Sequence, residues 1–291
     1  MKIQFAKGIE IIIDDDNLIS YKKNGQIIQF ATEENGMFEI DLSKNQFKNL
    51  NDKQQENINM DFEINNHVLV KYHGNAEIVE IPNGITTIGN YAFCFNLTEV
   101  VIPDGVTSIG SHAFQHCFNL KKVVIPNSII DIGLCAFSSC MHLWEITIPN
   151  NVTNIGNSAF ENCWHLGEII IPDSVTNIGS YAFENCWQLY EVIISNSVTV
   201  ITEGTFYKCL SLREVIIPDS VTEIEDIAFG DCVGLKKIVI PDSVINIEDT
   251  AFDNCSNLTI YCQERSYAQS YAITYDIPYV IIAYVSKTKN Y

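Results

Sequence analysis

Residues Leu166 to Gln188 read LGEIIIPDSVTNIGSYAFENCWQ, and variants of this stretch fill most of the chain. Its first six residues predict a short strand with Leu166, Ile169 and Ile171 facing inward. Pro172 stops the strand, because it has no N–H for a ladder bond. Asp173 and Ser174 turn the chain. Val175 and Ile178 then predict a second short extended segment pointing back into the core. Gly179 is expected to allow a bend that a side chain would resist. Ala182 gives closeness, Phe183 gives volume, and Cys186 leads into the next strand.

Three columns fix the repeat. Ile-Pro stands at 81–82, 102–103, 125–126, 148–149, 171–172, 217–218 and 240–241, with Ile194-Ser195 in the one gap. The first spacing is 21 residues and the later ones are 23. An isoleucine column runs from Ile88 to Ile247 and a phenylalanine column from Phe93 to Phe252. Alanine precedes that phenylalanine everywhere except at Thr205. No single unit can bury its apolar side, so stacked neighbours must build one continuous core.

The shared signature, L-x-x-V/I-x-I-P-x-S-V-x-x-I-G-x-x-A-F-x-x-C, resembles the leucine-rich repeat of the BspA-like (Treponema pallidum) type over about residues 76 to 262. The resemblance implies a curved right-handed solenoid with a parallel sheet on one face. It also implies a binding role rather than a catalytic one, since relatives are often surface-exposed adhesins. The glycine column changes to Thr202, Glu225 and Glu248 in the last three repeats, where the bend is expected to differ. The fold class expected is a leucine-rich-repeat solenoid, mostly β with an irregular convex side.

Four segments follow. Residues 1–59 lack the repeat and read as a small β-rich domain of unknown role, with strands at Ile9–Ile13, Leu18–Tyr21, Gln26–Phe30 and Met37–Leu42. Asn24-Gly25 is a hairpin signal. Ser43 to Asn59 is polar, with a weak helical pattern at Phe47 and Leu50, and reads as a linker or helix. Residues 60–75 hold a hairpin around Asn65-Asn66 leading into the repeats. Residues 76–257 hold eight repeats of 21–23 residues. Residues 258–291 form a C-terminal cap: a ninth strand at Leu258, Ile260 and Cys262, a short helix over Ser266–Ala272, and a closing strand over Ile277–Ile282.

Composition narrows the function. The 291 residues carry 36 acidic and 17 basic side chains, a formal net charge of -19. Such a chain repels nucleic acid and anionic membrane. At 47% apolar and 18% charged residues it is not a disordered chain. No run approaches the roughly 20 apolar residues of a membrane span. No secretory signal is visible, so the chain reads as cytoplasmic, with the cell surface or secretion by an unrecognised route as the alternative.

Eight of the ten cysteines fall in one column, Cys94 to Cys255, with Cys135 and Cys262 as extras. Stacked layers present one thiol each, about 4.8 Å apart, and there is no C-x-x-C. The column reads as buried free thiols acting as small hydrophobes, with disulfides or metal as the alternatives. His112 and His116 have the i, i+4 spacing that on a helix could hold zinc, but His112 lies in a variable column. His142 and His165 lie in another. Asp14-Asp15-Asp16-Asn17 is read as a solvated turn rather than a calcium loop. No phosphate loop, H-E-x-x-H or nucleophile elbow appears. Neither a cofactor, a metal nor an enzyme activity is expected.

The outward strand positions carry more. One column is aliphatic: Val101, Val124, Thr147, Ile170, Ile193, Ile216 and Val239. Beside it stand Glu99, Lys122, Glu145, Glu168, Glu191, Glu214 and Lys237. β-branched residues suit strands and charges keep a face wet, which is the plain explanation. Against it, a contiguous apolar strip marks interaction surfaces. Adjacent glutamates also repel by up to about 0.8 kcal/mol per pair at about 5 Å in water. A partner with apolar anchors and basic groups would relieve both costs. An aromatic rim adds Trp164 and Trp187, with Trp144 and Tyr190 nearby; aromatics are favoured interface anchors, though they could simply stack on one another. The expectation is a non-enzymatic solenoid that binds a protein partner through Val101, Val124, Ile170, Ile193, Ile216, Glu145, Glu168, Glu191, Glu214, Trp144, Trp164, Trp187 and Tyr190. The rival readings are a self-associating module, its strand face meeting a second copy or the N-terminal domain, and an enzyme in which residues 1–59 act on a recruited partner.

Overall fold

The computed structural model describes residues 61–93 and 97–282 and, within residues 1–60, the backbone of seven strands. Asp14–Asn17, Asn24-Gly25, Cys94 and Phe95 therefore lie outside the described residues. The chain divides into two compact units, 1–63 and 64–291.

In the first unit, Lys2–Phe5, Ile9–Ile13, Leu18–Lys23 and Gln26–Thr32 form an antiparallel meander. Lys23 pairs with Gln26, so two residues join those strands. Phe38–Asp41, Gln46–Asn49 and Ile58–Asn59 make a second antiparallel sheet. Within Ser43–Asn59, expected to be a linker or helix, Gln46–Asn49 and Ile58–Asn59 are strands: Phe47 pairs with Ile40 and Ile58. Two apolar residues three apart are too weak a pattern to outweigh a neighbouring strand.

The second unit is the solenoid. Phe62–Asn65 and Val68–Tyr72 are sheet neighbours joined through Asn66 and His67, both with positive φ (47° and 64°), one residue later than the sequence suggested. Each repeat then contributes two extended segments. The outer ones pair in parallel in three runs: Ile78–Glu80 through Glu145–Ile146, Glu168–Ile170 with Glu191–Ile193, and Glu214–Ile216 through Tyr279–Ile281. The second segments form their own parallel ladder from Val68–Tyr72 to Asn177–Ile178, which restarts at Val200–Ile201 and runs to Asn246–Ile247.

The core repeats with the sequence. Leu166, Ile169, Ile171, Val175, Ile178, Ala182, Phe183 and Cys186 are all buried. The phenylalanines from Phe93 to Phe252 stack in one column, ring centroids 4.7 to 5.6 Å apart. Tyr72 closes this column at one end, tilted against Phe93 at 5.5 Å. Tyr271 closes it at the other, edge-on to Phe252 at 5.8 Å. Tyr271 belongs to the helix Tyr267–Thr274, whose N-cap Ser266 accepts from the Gln269 N–H. The ninth strand, Thr259–Cys262, and the closing strand, Tyr279–Ile281, pair in parallel around it.

Layers are tied by backbone bonds as well as packing. Phe137 N–H donates to Ala159 O at 2.8 Å, and Gly156 N–H to Ile132 O at 2.8 Å. The cysteine column adds a third tie. The Cys163 thiol donates to Phe137 O at 3.4 Å and the Cys186 thiol to Phe160 O at 3.3 Å; Cys140, Cys209, Cys232 and Cys255 repeat the pattern. A small, apolar side chain with a weak donor fits a buried carbonyl that would otherwise lack a second partner.

Gly179 does not make the bend by its φ. It stands where layers nearly touch: a Cβ there would lie 2.4 Å from Asn157 N. Among the described residues the left-handed positions lie elsewhere in the repeats, and most are not glycine. One set is Tyr91, His112, Cys135, Ser158, Tyr181 and Ile227; the other includes His116, Asn162, Asn185 and Asp231. Where the glycine column ends, the ladder changes. Thr202 donates its hydroxyl to Ile178 O at 2.9 Å, whereas Gly179 uses its N–H on Ile155 O. The same repeat holds Ser195, whose buried hydroxyl reaches Val175 O at 2.7 Å, and Thr205, bonded back to Thr202 O. Here the second ladder restarts.

Candidate functional site

The outer strands are two to four residues long and parallel, so alternate side chains divide cleanly between core and solvent. Glu168 is in register with Glu191 and Ile170 with Ile193, while Ile169 and Val192 between them are buried. The aliphatic column is open to solvent: Val101 is 38% exposed, Val124 47%, Ile170 60%, Ile193 51% and Ile216 63%. Thr147 is exposed too, although Glu145–Ile146 ends just before it. Val239 is half-buried, and the column continues into Tyr261 and Val280. At the other end the two columns exchange chemistry, since Glu80 is in register with Val101 and Ile78 with Glu99.

The charged column is compensated only towards its ends. Lys122 pairs with Glu145 at 3.8 Å, and Lys237 pairs with Glu214 while lying over the Tyr261 ring. Among the described residues, Glu168 and Glu191 form no ion pair. The Tyr190 hydroxyl donates to Glu168 at 3.3 Å, and the Glu168 charge raises the Tyr190 pKa.

The aromatic rim is brought together in part. Trp164 and Trp187 stack at 4.6 Å with 4° between planes. Trp164 is half-buried, its Nε1 without a hydrogen-bond partner, and Trp187 is exposed. Trp144 and Tyr190 are exposed two layers apart, with Gly167 between. Tyr190 leans across Gly167, where a Cβ would come within 3.1 Å of its ring. On the other side of Tyr190 an open hollow of roughly 350 Å3 is lined by Gln188, Tyr190, Ser211 and Arg213. Among the described residues Arg213 has no carboxylate partner. The sequence reading missed Gln188, Ser211 and Arg213; the signal was Gly167 between Trp144 and Tyr190 in a column where every other repeat has a side chain.

The histidines serve the turns. His112 and His116 stand in turns with φ of 58° and 61°, not on a helix, and His112 stacks on Tyr91 at 4.6 Å. His142 and His165 stack at 5.1 Å, their Nδ1 atoms on Phe118 O and Met141 O. Among the described residues no three histidine, cysteine or acidic side chains gather where they could hold a metal. The described cysteines form no disulfide, and burial raises the thiols of Cys140, Cys186, Cys209 and Cys232 well above their ordinary value. No helix among the described residues is long and apolar enough to cross a membrane.

No curated protein matches the chain in sequence. Solved structures do match in fold. A leucine-rich repeat protein from Bacteroides ovatus is 24% identical, with a TM-score of 0.53, over 80% of this chain and 70% of that one. The T. pallidum leucine-rich repeat protein is 22% identical, TM-score 0.51, over 77% and 96%. A leucine-rich repeat protein from Eubacterium ventriosum is 26% identical, TM-score 0.51, over 72% and 66%. The family model for the BspA type leucine-rich repeat region, in 6 copies, matches residues 63–190 and 176–272, covering the strands, turns and phenylalanine column described above. On that match the chain belongs to the BspA-type leucine-rich repeat family.

Proposed function

We propose that the repeats are a non-enzymatic protein-binding surface and that the partner lies on the outer strands, across the aliphatic column and the aromatic residues beside it. Leucine-rich repeats are generally protein-interaction modules. The observation that carries the reading is the aliphatic column itself. Val101, Val124, Ile170, Ile193 and Ile216 expose an apolar column, interrupted only at Thr147, that nothing in the core requires. Ile193→Arg tests it. The side chain points outward, so the fold is kept and the thermal midpoint stays close to wild type. Affinity for a partner captured from the native organism falls by about 2 kcal/mol or more, as at an interface hot spot. Full affinity of the variant for every captured partner would remove the strand face from consideration. Self-association is the second reading, and light scattering on an eluting peak separates the two. The proposal applies in the cytoplasm, as the sequence reads, or at the cell surface, because buried thiols resist oxidation in either place.

A further inference from the structure

The charge on the strand face is uneven, and the unevenness describes a partner. Lysines answer the glutamates of the column at Glu145 and Glu214, while among the described residues Glu168 and Glu191, in two adjacent, in-register strands, form no ion pair. Their backbones are about 4.8 Å apart, and Tyr190 holds one of the two carboxylates by its hydroxyl. Two residues further along the same strands, on the same face, stand exposed Ile170 and Ile193. That offset is about 6.6 Å, the separation of alternate residues on an extended chain. We propose, resting on the strand face as the binding surface, that its centre selects an extended segment of a partner protein bearing a cationic side chain next but one to an aliphatic one. Arginine fits better than lysine, because its planar fork presents donors along two edges and can serve both carboxylates, whereas an ammonium is a point charge. A second copy of this chain is a poor occupant. It carries a net charge of -19, and face-to-face docking would set glutamates against glutamates.

The test is a phage-displayed library of random 12-residue peptides selected on the full chain. Selected peptides are then measured by fluorescence anisotropy against wild type, Glu168→Gln/Glu191→Gln and Ile170→Ser/Ile193→Ser, with circular dichroism confirming that both variants fold. The expected peptides are enriched in arginine two positions from leucine, isoleucine or valine. They bind the Gln variant at least tenfold more weakly, and raising salt narrows that gap. Peptides that need the isoleucines but bind the Gln variant as well as wild type, or that lack cationic enrichment, overturn this inference and leave the strand-face reading standing. Peptides indifferent to both pairs overturn both.

Discussion

Phe183→Ala is the most direct probe of how the layers hold together. Phe183 is fully buried, its ring 5.3 Å from Phe160 and 5.6 Å from Phe206. Truncating a buried phenylalanine to alanine costs about 3–5 kcal/mol. Here two stacked ring pairs go with it, each worth about 0.5–1.5 kcal/mol beyond area, which puts the site at the upper end. Phe252 is the internal control. It has one stacked phenylalanine neighbour and only the edge of Tyr271 on its other side, so Phe252→Ala loses about 1 kcal/mol less. Because each layer contacts only its neighbours, the damage stays local. The tryptophans report on it: Trp144, Trp164 and Trp187 all lie in the central repeats. Urea melts followed by tryptophan fluorescence and by far-ultraviolet circular dichroism should separate in Phe183→Ala, fluorescence moving first. In Phe252→Ala the fluorescence midpoint moves less. A loss below about 1 kcal/mol at Phe183, or equal losses with coincident transitions at both sites, would refute a core carried by the ring column.

Burial raises the ladder thiols, so the folded chain keeps protons that the unfolded chain releases above its ordinary thiol pKa of 9.0. Their stabilisation is complete below that pH and drains away above it, and Cys186→Ala should flatten the alkaline loss by up to about 1.4 kcal/mol per pH unit in urea titrations; an unchanged slope contradicts the buried assignment. Thiol labelling at neutral pH should be slow at the ladder positions in the folded protein and complete in denaturant, and fast native labelling of all of them would count against the same assignment. Ile227 holds φ of 46°, costly for a β-branched side chain, so Ile227→Asn should gain about 0.5 kcal/mol or more in a thermal melt, whereas a lowered midpoint would show that its packing outweighs the strain. Ile178→Asp buries a lone carboxylate and should lose several kcal/mol; an unchanged midpoint would contradict the inward placement of that column.

The repeat was legible because the inward residues of every layer are the same few types. Alternation within the outer strand also put Glu168 and Ile170 on the solvent side without any structure. The bend was not legible in the same way. Glycine at 110, 133, 156 and 179 drew attention, yet one set of positive φ values belongs to residues such as Tyr91, Tyr181 and Ile227, whose chemistry gives no hint of a left-handed backbone, and only the set with Asn162, Asn185 and Asp231 carries types that favour it. In residues 43–59, spacing alone could not separate a weak helix from short strands that find partners. At the candidate site, the hollow beside Arg213 depends on Tyr190 leaning over Gly167. That is a choice made between layers, and no single repeat specifies it.

Both ends of the phenylalanine column meet a tyrosine, Tyr72 in one flanking segment and Tyr271 in the other. Neither tyrosine belongs to one of the eight repeats, and each meets the phenylalanine column at its terminal ring. The number of layers between them is therefore free to vary. An in-frame duplication or loss of one repeat presents each tyrosine with the same ring as before and lengthens or shortens the exposed column by one step. Copy number then acts as a dial on the reach of the surface, one that can be turned without redesigning either terminus.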